Sequence, residues 1–130
     1  GIAIIPEKQF ESTDGSDKER WEKLSQNDKD KELYSFDKPG KETVITQEMR
    51  QLAFDDYSTT DDHGMVIVGK AIDQNGTPYF IVKNSWGIDN RNPYEGFFYA
   101  SEAFVKLQTI NIIVHKDAIP KDILKKLGIK

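Results

Sequence analysis

Two β-branched runs joined by an Asn-Gly turn restrict the fold of this chain more than any other feature. The runs cover residues 65–71 and 79–84, and Asp73-Gln74-Asn75-Gly76 lies between them. Runs rich in Val and Ile and bounded by turn residues predict strands, and an Asn-Gly pair favours the positive φ angles of a tight hairpin. We therefore expect a β-hairpin whose open end brings His63, just before the first strand, close to Asn84, at the end of the second.

A histidine and an asparagine brought together in this way are two members of a three-residue catalytic group. A histidine that takes a proton from a thiol needs its ring held in one tautomer and orientation, and an amide oxygen on a neighbouring strand can hold it. The third part is a cysteine, and the sequence contains none. The chain therefore carries a candidate base, His63, and a candidate orienting residue, Asn84, without a nucleophile.

Length and charge limit the other classes of function. The chain has 130 residues, of which 37% are hydrophobic and 31% are charged, and its net charge is −4. This length suits a single domain with a modest core. The charges are interspersed and form no basic stripe, which disfavours nucleic-acid binding, and no apolar run is long enough to span a bilayer. From the length we expect residues 1–130 to be a single domain or part of one. Because the chain begins with Gly1 rather than Met, we expect a processed product or a piece of a longer protein.

The front of the chain, residues 11–45, reads as a charged helical insertion or surface segment. Residues 16–34 are mostly good helix formers, with Ser16 and Ser25 placed as helix caps and Asp28 three positions after Ser25, as in a capping box. We expect two short helices there. Only four apolar residues could anchor them to the rest of the fold: Trp21, Leu24, Leu33 and Tyr34.

The remaining segments predict an α+β fold. Thr46 caps a helix that runs to about residue 55 and buries Met49, Leu52 and Ala53. Further strands are expected at residues 97–99 and 110–114, with a helix at residues 102–106 and a last helix that starts at Pro120 and stops at Gly128. Antiparallel strands with short peripheral helices indicate a curled antiparallel sheet.

The hairpin residues resemble the histidine–asparagine half of papain-like cysteine peptidases. The resemblance rests on His63-Gly64-Met65-Val66-Ile67-Val68-Gly69, Tyr79-Phe80-Ile81-Val82-Lys83-Asn84-Ser85-Trp86-Gly87 and Glu95-Gly96-Phe97-Phe98-Tyr99. The asparagine motif with its tryptophan is the specific part. Within that superfamily, residues 101–104 and 111–116 are similar to bleomycin hydrolase and bacterial aminopeptidase C. The resemblance covers roughly residues 46–127.

This resemblance implies the C-terminal, sheet-containing lobe of a two-lobed peptidase that hydrolyses peptide bonds. His63 would be the general base and would later protonate the leaving amine, and Asn84 would accept a hydrogen bond from the other ring nitrogen. Trp86 would shield that bond from water, with Asp62 and Ser85 as close neighbours. The cysteine and an oxyanion-hole glutamine would lie in an earlier lobe, and the peptide substrate would lie between the two lobes.

The resemblance also bears on partners and location. It implies no cofactor and no metal, and a cysteine-bearing N-terminal lobe of the same parent protein as the partner. Without that lobe the cleft face would be exposed, so we expect either homo-oligomers formed through that face or a marginal fold. A cytoplasmic location is the expectation, with an exported or periplasmic protein as the alternative. In bleomycin hydrolase and aminopeptidase C the chain continues past the last helix as an arm whose terminal carboxylate meets the free amino end of the substrate, whereas this sequence stops at Lys130. If the arm is absent, the parent enzyme should accept longer or blocked peptides.

Three alternatives remain open. Asp61, Asp62 and His63 could suggest a metal site, although three adjacent residues do not readily converge on one ion. Ser85 could suggest a serine nucleophile, but no Gly-x-Ser-x-Gly elbow surrounds it. The chain could also be a non-catalytic binding or assembly module that keeps the fold of a peptidase lobe. Alone, without a cysteine, it is expected to be inactive.

Overall fold

The computed structural model describes residues 2–34, 40–61, 63–85, 87 and 94–129. Four strands and five short helices lie along these ranges. They are β1 (Ile2–Ala3), α1 (Ser16–Lys23), α2 (Gln26–Leu33), α3 (Gln47–Asp55), β2 (Val66–Ile72), β3 (Pro78–Lys83), β4 (Phe97–Ser101), α4 (Glu102–Gln108) and α5 (Lys121–Leu127), with a 3₁₀ turn at Lys116–Ala118 before α5. The predicted hairpin, the two front helices and the helix after Thr46 are confirmed.

The strands form one open sheet in the order β1-β4-β3-β2. β3 pairs antiparallel with both β2 and β4, as expected, whereas β1 pairs parallel with β4 through Ile2↔Tyr99 and Ala3↔Ala100. The sheet is therefore mixed, and the fold is α+β, consistent with the sheet-containing lobe of a papain-like peptidase. Because β3 lies inside the sheet, both of its edges are paired and its position is well defined.

The turn between β2 and β3 is organised by Asp73. Its carboxylate accepts hydrogen bonds of 2.8 Å from the N–H groups of Asn75 and Thr77, and its carbonyl accepts one of 3.1 Å from Gly76. Partial burial disfavours the charged carboxylate, but these donors outweigh that effect and lower the pKa of Asp73. Only Gly76, with φ 83°, adopts the left-handed conformation, so the turn uses one positive φ angle where the Asn-Gly pair suggested two.

A small core lies on one face of the sheet. Val82 (3% exposed), Phe98 (9%) and Ala100 (1%) form it, and α4 covers them with Phe104 and Val105. α4 begins where β4 ends, because the hydroxyl of Ser101 accepts a hydrogen bond of 3.0 Å from the N–H of Phe104 and caps the helix. This packing fixes β3 and β4 while leaving the edge strand β2 largely exposed.

Two predictions about the helices were wrong in detail. Ser16 does not cap α1: the cap is Gly15, which has φ 79°, and the N–H of Ser16 bonds to the carboxylate of Asp14 instead. Leu52 is not buried on α3 but 64% exposed, because the main packing of α3 among the described elements is against α4 and leaves the side chain of Leu52 open to solvent. The cap by Thr46 is confirmed, since its hydroxyl accepts from the N–H of Met49 at 3.3 Å.

The strand expected at residues 110–114 was also wrong. These residues have an irregular backbone, and the side chain of Ile113 is 97% exposed. A β-branched run forms a strand only where another strand offers a free edge with matching neighbours. In the described sheet β4 is paired with β1 and β3, and residues 110–114 pair with neither of the outer strands, β1 and β2.

The front helices are joined by ion pairs. Glu32 accepts a hydrogen bond of 2.7 Å from Arg20 and one of 3.1 Å from Lys8, and these cations lower the pKa of Glu32 to about 2. The ammonium of Lys8 also lies 4.9 Å from the centre of the Trp21 ring, and that of Lys29 lies 5.9 Å from it. Neither helix has a fully buried residue.

In the part of the chain that the structure describes, no helix has the length and apolar character needed to cross a membrane.

Candidate active site

The hairpin places His63 and Asn84 at the same end of the sheet. Val66 and Lys83 form the last residue pair between β2 and β3 at this end. Asn84 directly follows Lys83, and His63 precedes Val66 by three residues. The close approach that the sequence predicted therefore follows from the register of the hairpin.

A β-bulge lies close to this end. Ile67 pairs with Val82 and Gly69 pairs with Ile81, so Val68 is an extra residue on β2. A Cβ atom on Gly69 would lie 3.4 Å from Cδ1 of Ile81, at ordinary van der Waals contact. Bulges increase strand twist and redirect the side chains beyond them, and this one acts on the segment that leads to His63.

The ring of His63 contacts the side-chain amide of Asn84. Nε2 of His63 lies 2.7 Å from Oδ1 of Asn84, and the same oxygen accepts a hydrogen bond of 2.7 Å from the backbone N–H of Ser85. A backbone N–H can only donate, so the amide atom that faces it must be the oxygen. Because this oxygen can only accept, Nε2 of His63 must carry the hydrogen in the contact.

This contact determines which ring nitrogen can act as a base. With the hydrogen on Nε2, the neutral ring of His63 has its lone pair on Nδ1. Nδ1 can take up a proton and release it while the bond from Nε2 to Asn84 stays in place. The pair has the geometry of a general base held by an orienting amide.

The two partners differ in exposure. Asn84 is buried, with 6% of its surface exposed, whereas His63 is exposed. Asn84 is thus fixed by the fold, and the ring that it contacts is accessible from outside. A base in this position can serve a nucleophile or substrate carried by another part of the protein.

The backbone of Asn84 is held separately from its side chain. Its N–H donates a hydrogen bond of 2.9 Å to the carbonyl of Gly96 in the turn before β4. The sequence did not predict a role for Gly96, although the Glu95-Gly96 pair before a strand is a signal for a turn. Asn84 is therefore fixed at three points, through Ser85, Gly96 and β3.

The other predicted site residues have different outcomes. Asp62 and Trp86 lie outside the described residues. Ser85 is exposed, and its backbone N–H supports Asn84. His115, the second histidine, lies on the surface and accepts a hydrogen bond of 3.3 Å from the N–H of Asp117. Within the described ranges, no group of three or more His, Asp or Glu side chains could hold a metal ion.

Comparison with known proteins identifies a relationship over nearly the whole chain. Residues 13–129 match the family model described as the peptidase C1-like family. A search of curated proteins gave no significant match. The matched region includes the front helices, the hairpin and α5, and so extends beyond the histidine–asparagine motifs.

Proposed function

Because the chain belongs to the peptidase C1-like family, we propose that it supplies the general base and its orienting residue to a cysteine peptidase. His63 is the base, and Asn84 orients it. The observation that carries this proposal is the 2.7 Å contact from Nε2 of His63 to Oδ1 of Asn84, with the amide oxygen fixed by the Ser85 N–H. This contact directs the basic nitrogen, Nδ1, away from Asn84.

The proposed reaction is hydrolysis of a peptide bond through an acyl-enzyme. A cysteine in an upstream lobe gives its thiol proton to Nδ1 of His63, and the thiolate attacks the substrate carbonyl carbon. The C–N bond then breaks as the imidazolium returns the proton to the leaving amine. Water, deprotonated by the same nitrogen, attacks the acyl-enzyme and releases the acid and the thiol.

We also propose that the parent enzyme belongs with bleomycin hydrolase and aminopeptidase C. The support is the similarity of residues 101–104 and 111–116 to that group. In this proposal the substrate is a peptide bound between the lobes. Trp86 shields the bond between His63 and Asn84, and Asp62 adds negative potential beside the ring. The 130-residue chain alone is inactive because it has no cysteine.

The test is hydrolysis of a fluorogenic amino-acid amide by the purified parent protein, with intact mass measured on the same sample. The proposal expects activity that iodoacetamide abolishes and that the 130-residue chain alone does not show. A free and an amino-blocked peptide substrate then distinguish aminopeptidase from endopeptidase specificity. Activity that resists alkylation, or activity of a sample with the mass of the chain alone, would contradict the proposal.

A second candidate is a binding or assembly module that keeps the lobe fold, and it stays open because these 130 residues contain no cysteine; retention of both His63 and Asn84 favours the peptidase. The two candidate functions make different predictions about the sequence of the parent protein before Gly1. A peptidase requires a cysteine-bearing lobe in the same parent protein or in a chain that co-purifies with this one. A parent that has no such cysteine and no hydrolytic activity would favour the module.

A further inference from the structure

The turn before β4 is built against the backbone of Asn84. Lys83 and Phe97 form the last pair between β3 and β4, and the next bond outward runs from the N–H of Asn84 to the carbonyl of Gly96 at 2.9 Å. The turn closes through a hydrogen bond of 2.9 Å from the N–H of Phe97 to the carbonyl of Tyr94. Asn84 is therefore the first residue beyond the β3–β4 ladder, and Gly96 is its partner.

Both central residues of this turn are left-handed, with φ 53° at Glu95 and φ 85° at Gly96. Two consecutive positive φ angles are costly for residues with a Cβ atom, and glycine removes half of that cost. Glycine is also favoured at position 96 because two backbone carbonyl oxygens lie close to its Cα atom. A Cβ atom at this position would lie 3.1 Å from the carbonyl oxygen of Gly87 and 3.2 Å from that of Asn84.

We propose that Gly96 is a positioning residue for the catalytic base. It acts through Asn84 and, through that residue, sets the contact to Nε2 of His63. This inference rests on the proposed function, because it explains how the same site is held in place. Because Gly96 has no Cβ atom, the carbonyls of Asn84 and Gly87 can lie against the turn. This packing fixes Asn84 in a position from which its side-chain amide reaches the ring of His63.

The consequence of adding one methyl group follows from these distances. A methyl group at Gly96 must push back the carbonyl of Asn84, that of Gly87, or both, by a few tenths of an ångström. The carbonyl of Asn84 belongs to the peptide that links it to Ser85, whose N–H fixes the amide oxygen. Moving this peptide changes the orientation of the amide and lengthens its bond to His63.

Gly76 offers a matched control. Its φ of 83° is close to that of Gly96, so alanine meets similar backbone strain at either position. A Cβ atom on Gly76 would have no atom within 4 Å among those described, and Gly76 lies in the turn at the opposite end of the hairpin. Comparison of Gly96→Ala with Gly76→Ala therefore separates strain from contact with Asn84.

The experiment is NMR of the 130-residue chain labelled uniformly with ¹³C and ¹⁵N, so that both the histidine rings and the backbone are observed. In the unchanged chain we expect His63 as the Nε2–H tautomer when neutral and a trans-hydrogen-bond coupling from the Asn84 nitrogen to the Gly96 carbonyl carbon. Gly96→Ala should convert His63 to a mixture of tautomers and speed exchange of the Asn84 amide by roughly tenfold or more. Gly76→Ala should change neither the tautomer of His63 nor the exchange of the Asn84 amide. The ring signals of His115 serve as an internal reference for those of His63.

Several outcomes would overturn the inference. If Gly96→Ala behaves like Gly76→Ala in both readouts, Gly96 has only a structural role. If Gly96→Ala does not fold, the coupling between Asn84 and Gly96 in the unchanged chain decides. If this coupling is absent, the hydrogen bond on which the inference depends does not exist. If the coupling is present and Gly76→Ala folds, the inference is supported.

Kinetics of the parent enzyme separate this inference from the proposed function. Gly96→Ala should lower kcat by roughly tenfold with little change in KM, and Gly76→Ala should leave both unchanged. If Asn84→Ala retains full activity, the proposed function fails whatever the NMR shows. If Asn84→Ala is impaired while Gly96→Ala matches Gly76→Ala, only the role of Gly96 fails.

Discussion

The carboxylate of Glu42 accepts a hydrogen bond of 2.5 Å from the hydroxyl of Ser101, a residue with no exposed surface. The same carboxylate oxygen accepts one of 2.9 Å from the N–H of Ile5, and the Ser101 hydroxyl caps α4 through Phe104. Glu42 and Ser101 therefore connect three segments: the chain after β1, the chain before α3 and the junction of β4 with α4.

Ser101→Ala should destabilise the chain more than loss of an ordinary helix cap. The substitution removes a cap and also one of the two hydrogen bonds to the carboxylate oxygen of Glu42, which keeps the bond from the N–H of Ile5, so we expect a loss of about 2–3 kcal/mol in the free energy of unfolding. Ser25→Ala, which removes the exposed cap of α2, is the control and should cost about 0.5–1 kcal/mol. Urea denaturation measures both, and equal losses would show that the link to Glu42 contributes nothing.

The stability of the sheet should depend on the small core beside α4. Val82 is 3% exposed, and Val82→Ala should cost about 1.5–3 kcal/mol because it removes two buried methyl groups. Ile113 is 97% exposed in the segment that was expected to be a strand, and Ile113→Ala should change the free energy of unfolding by less than about 0.5 kcal/mol. A large loss from Ile113→Ala would mean that residues 110–114 pack in solution.

The front helices should loosen in acid. Hydrogen bonds from Arg20 and Lys8 lower the pKa of Glu32 from 4.5 to about 2. A carboxyl with a lowered pKa stabilises the folded form above its unfolded pKa, and this contribution is lost as the pH falls through the folded value. Stability of this segment should therefore decline between about pH 4.5 and pH 2, reported by Trp21 fluorescence in a Trp86→Phe background.

Variants separate the contribution of Glu32 from other carboxyls. Glu32→Gln should flatten the acid transition in part, and Glu22→Gln, an exposed change on α1, should leave it unchanged. Hydrogen bonds from Ser12 lower the pKa of Asp17 to about 2, and hydrogen bonds from Ser16 lower that of Asp14, so both carboxyls contribute to the remaining slope. An acid transition that is identical in Glu32→Gln would contradict the assignment to Glu32.

The isolated chain should self-associate through the exposed edge strand. Val66, Ile67 and Val68 on β2 are 61%, 49% and 53% exposed, and β2 has no neighbour on its outer edge in the described sheet. Open, apolar edges favour pairing with another chain. Sedimentation velocity should show concentration-dependent association that Val66→Thr with Val68→Thr reduces and that Val44→Thr, 77% exposed elsewhere, does not. A monomer at all concentrations would contradict this.

Local patterns made the hairpin and the contact between His63 and Asn84 predictable. A turn signal between two β-branched runs sets the register of the hairpin, and this register brings the residues at its open end together. The links made by Glu42 and Gly96 could not be predicted in the same way. Glu42 and Ser101 are 59 residues apart in sequence, and the role of Gly96 depends on the approach of backbone atoms that no side-chain pattern records. The strand wrongly predicted at residues 110–114 has a related cause, since a strand forms only by pairing with another strand, and the local sequence does not show whether such a partner exists.

The measurement that tests the account most directly is kcat/KM of the parent enzyme carrying His63→Ala, Asn84→Ala or His115→Ala. If His63 is the base, its loss should lower kcat/KM by about 10²–10⁴-fold. Loss of the orienting amide in Asn84→Ala should lower it by about 10²-fold, and His115→Ala should leave it unchanged. Full activity in His63→Ala or Asn84→Ala would contradict the account, as would an equal loss in His115→Ala.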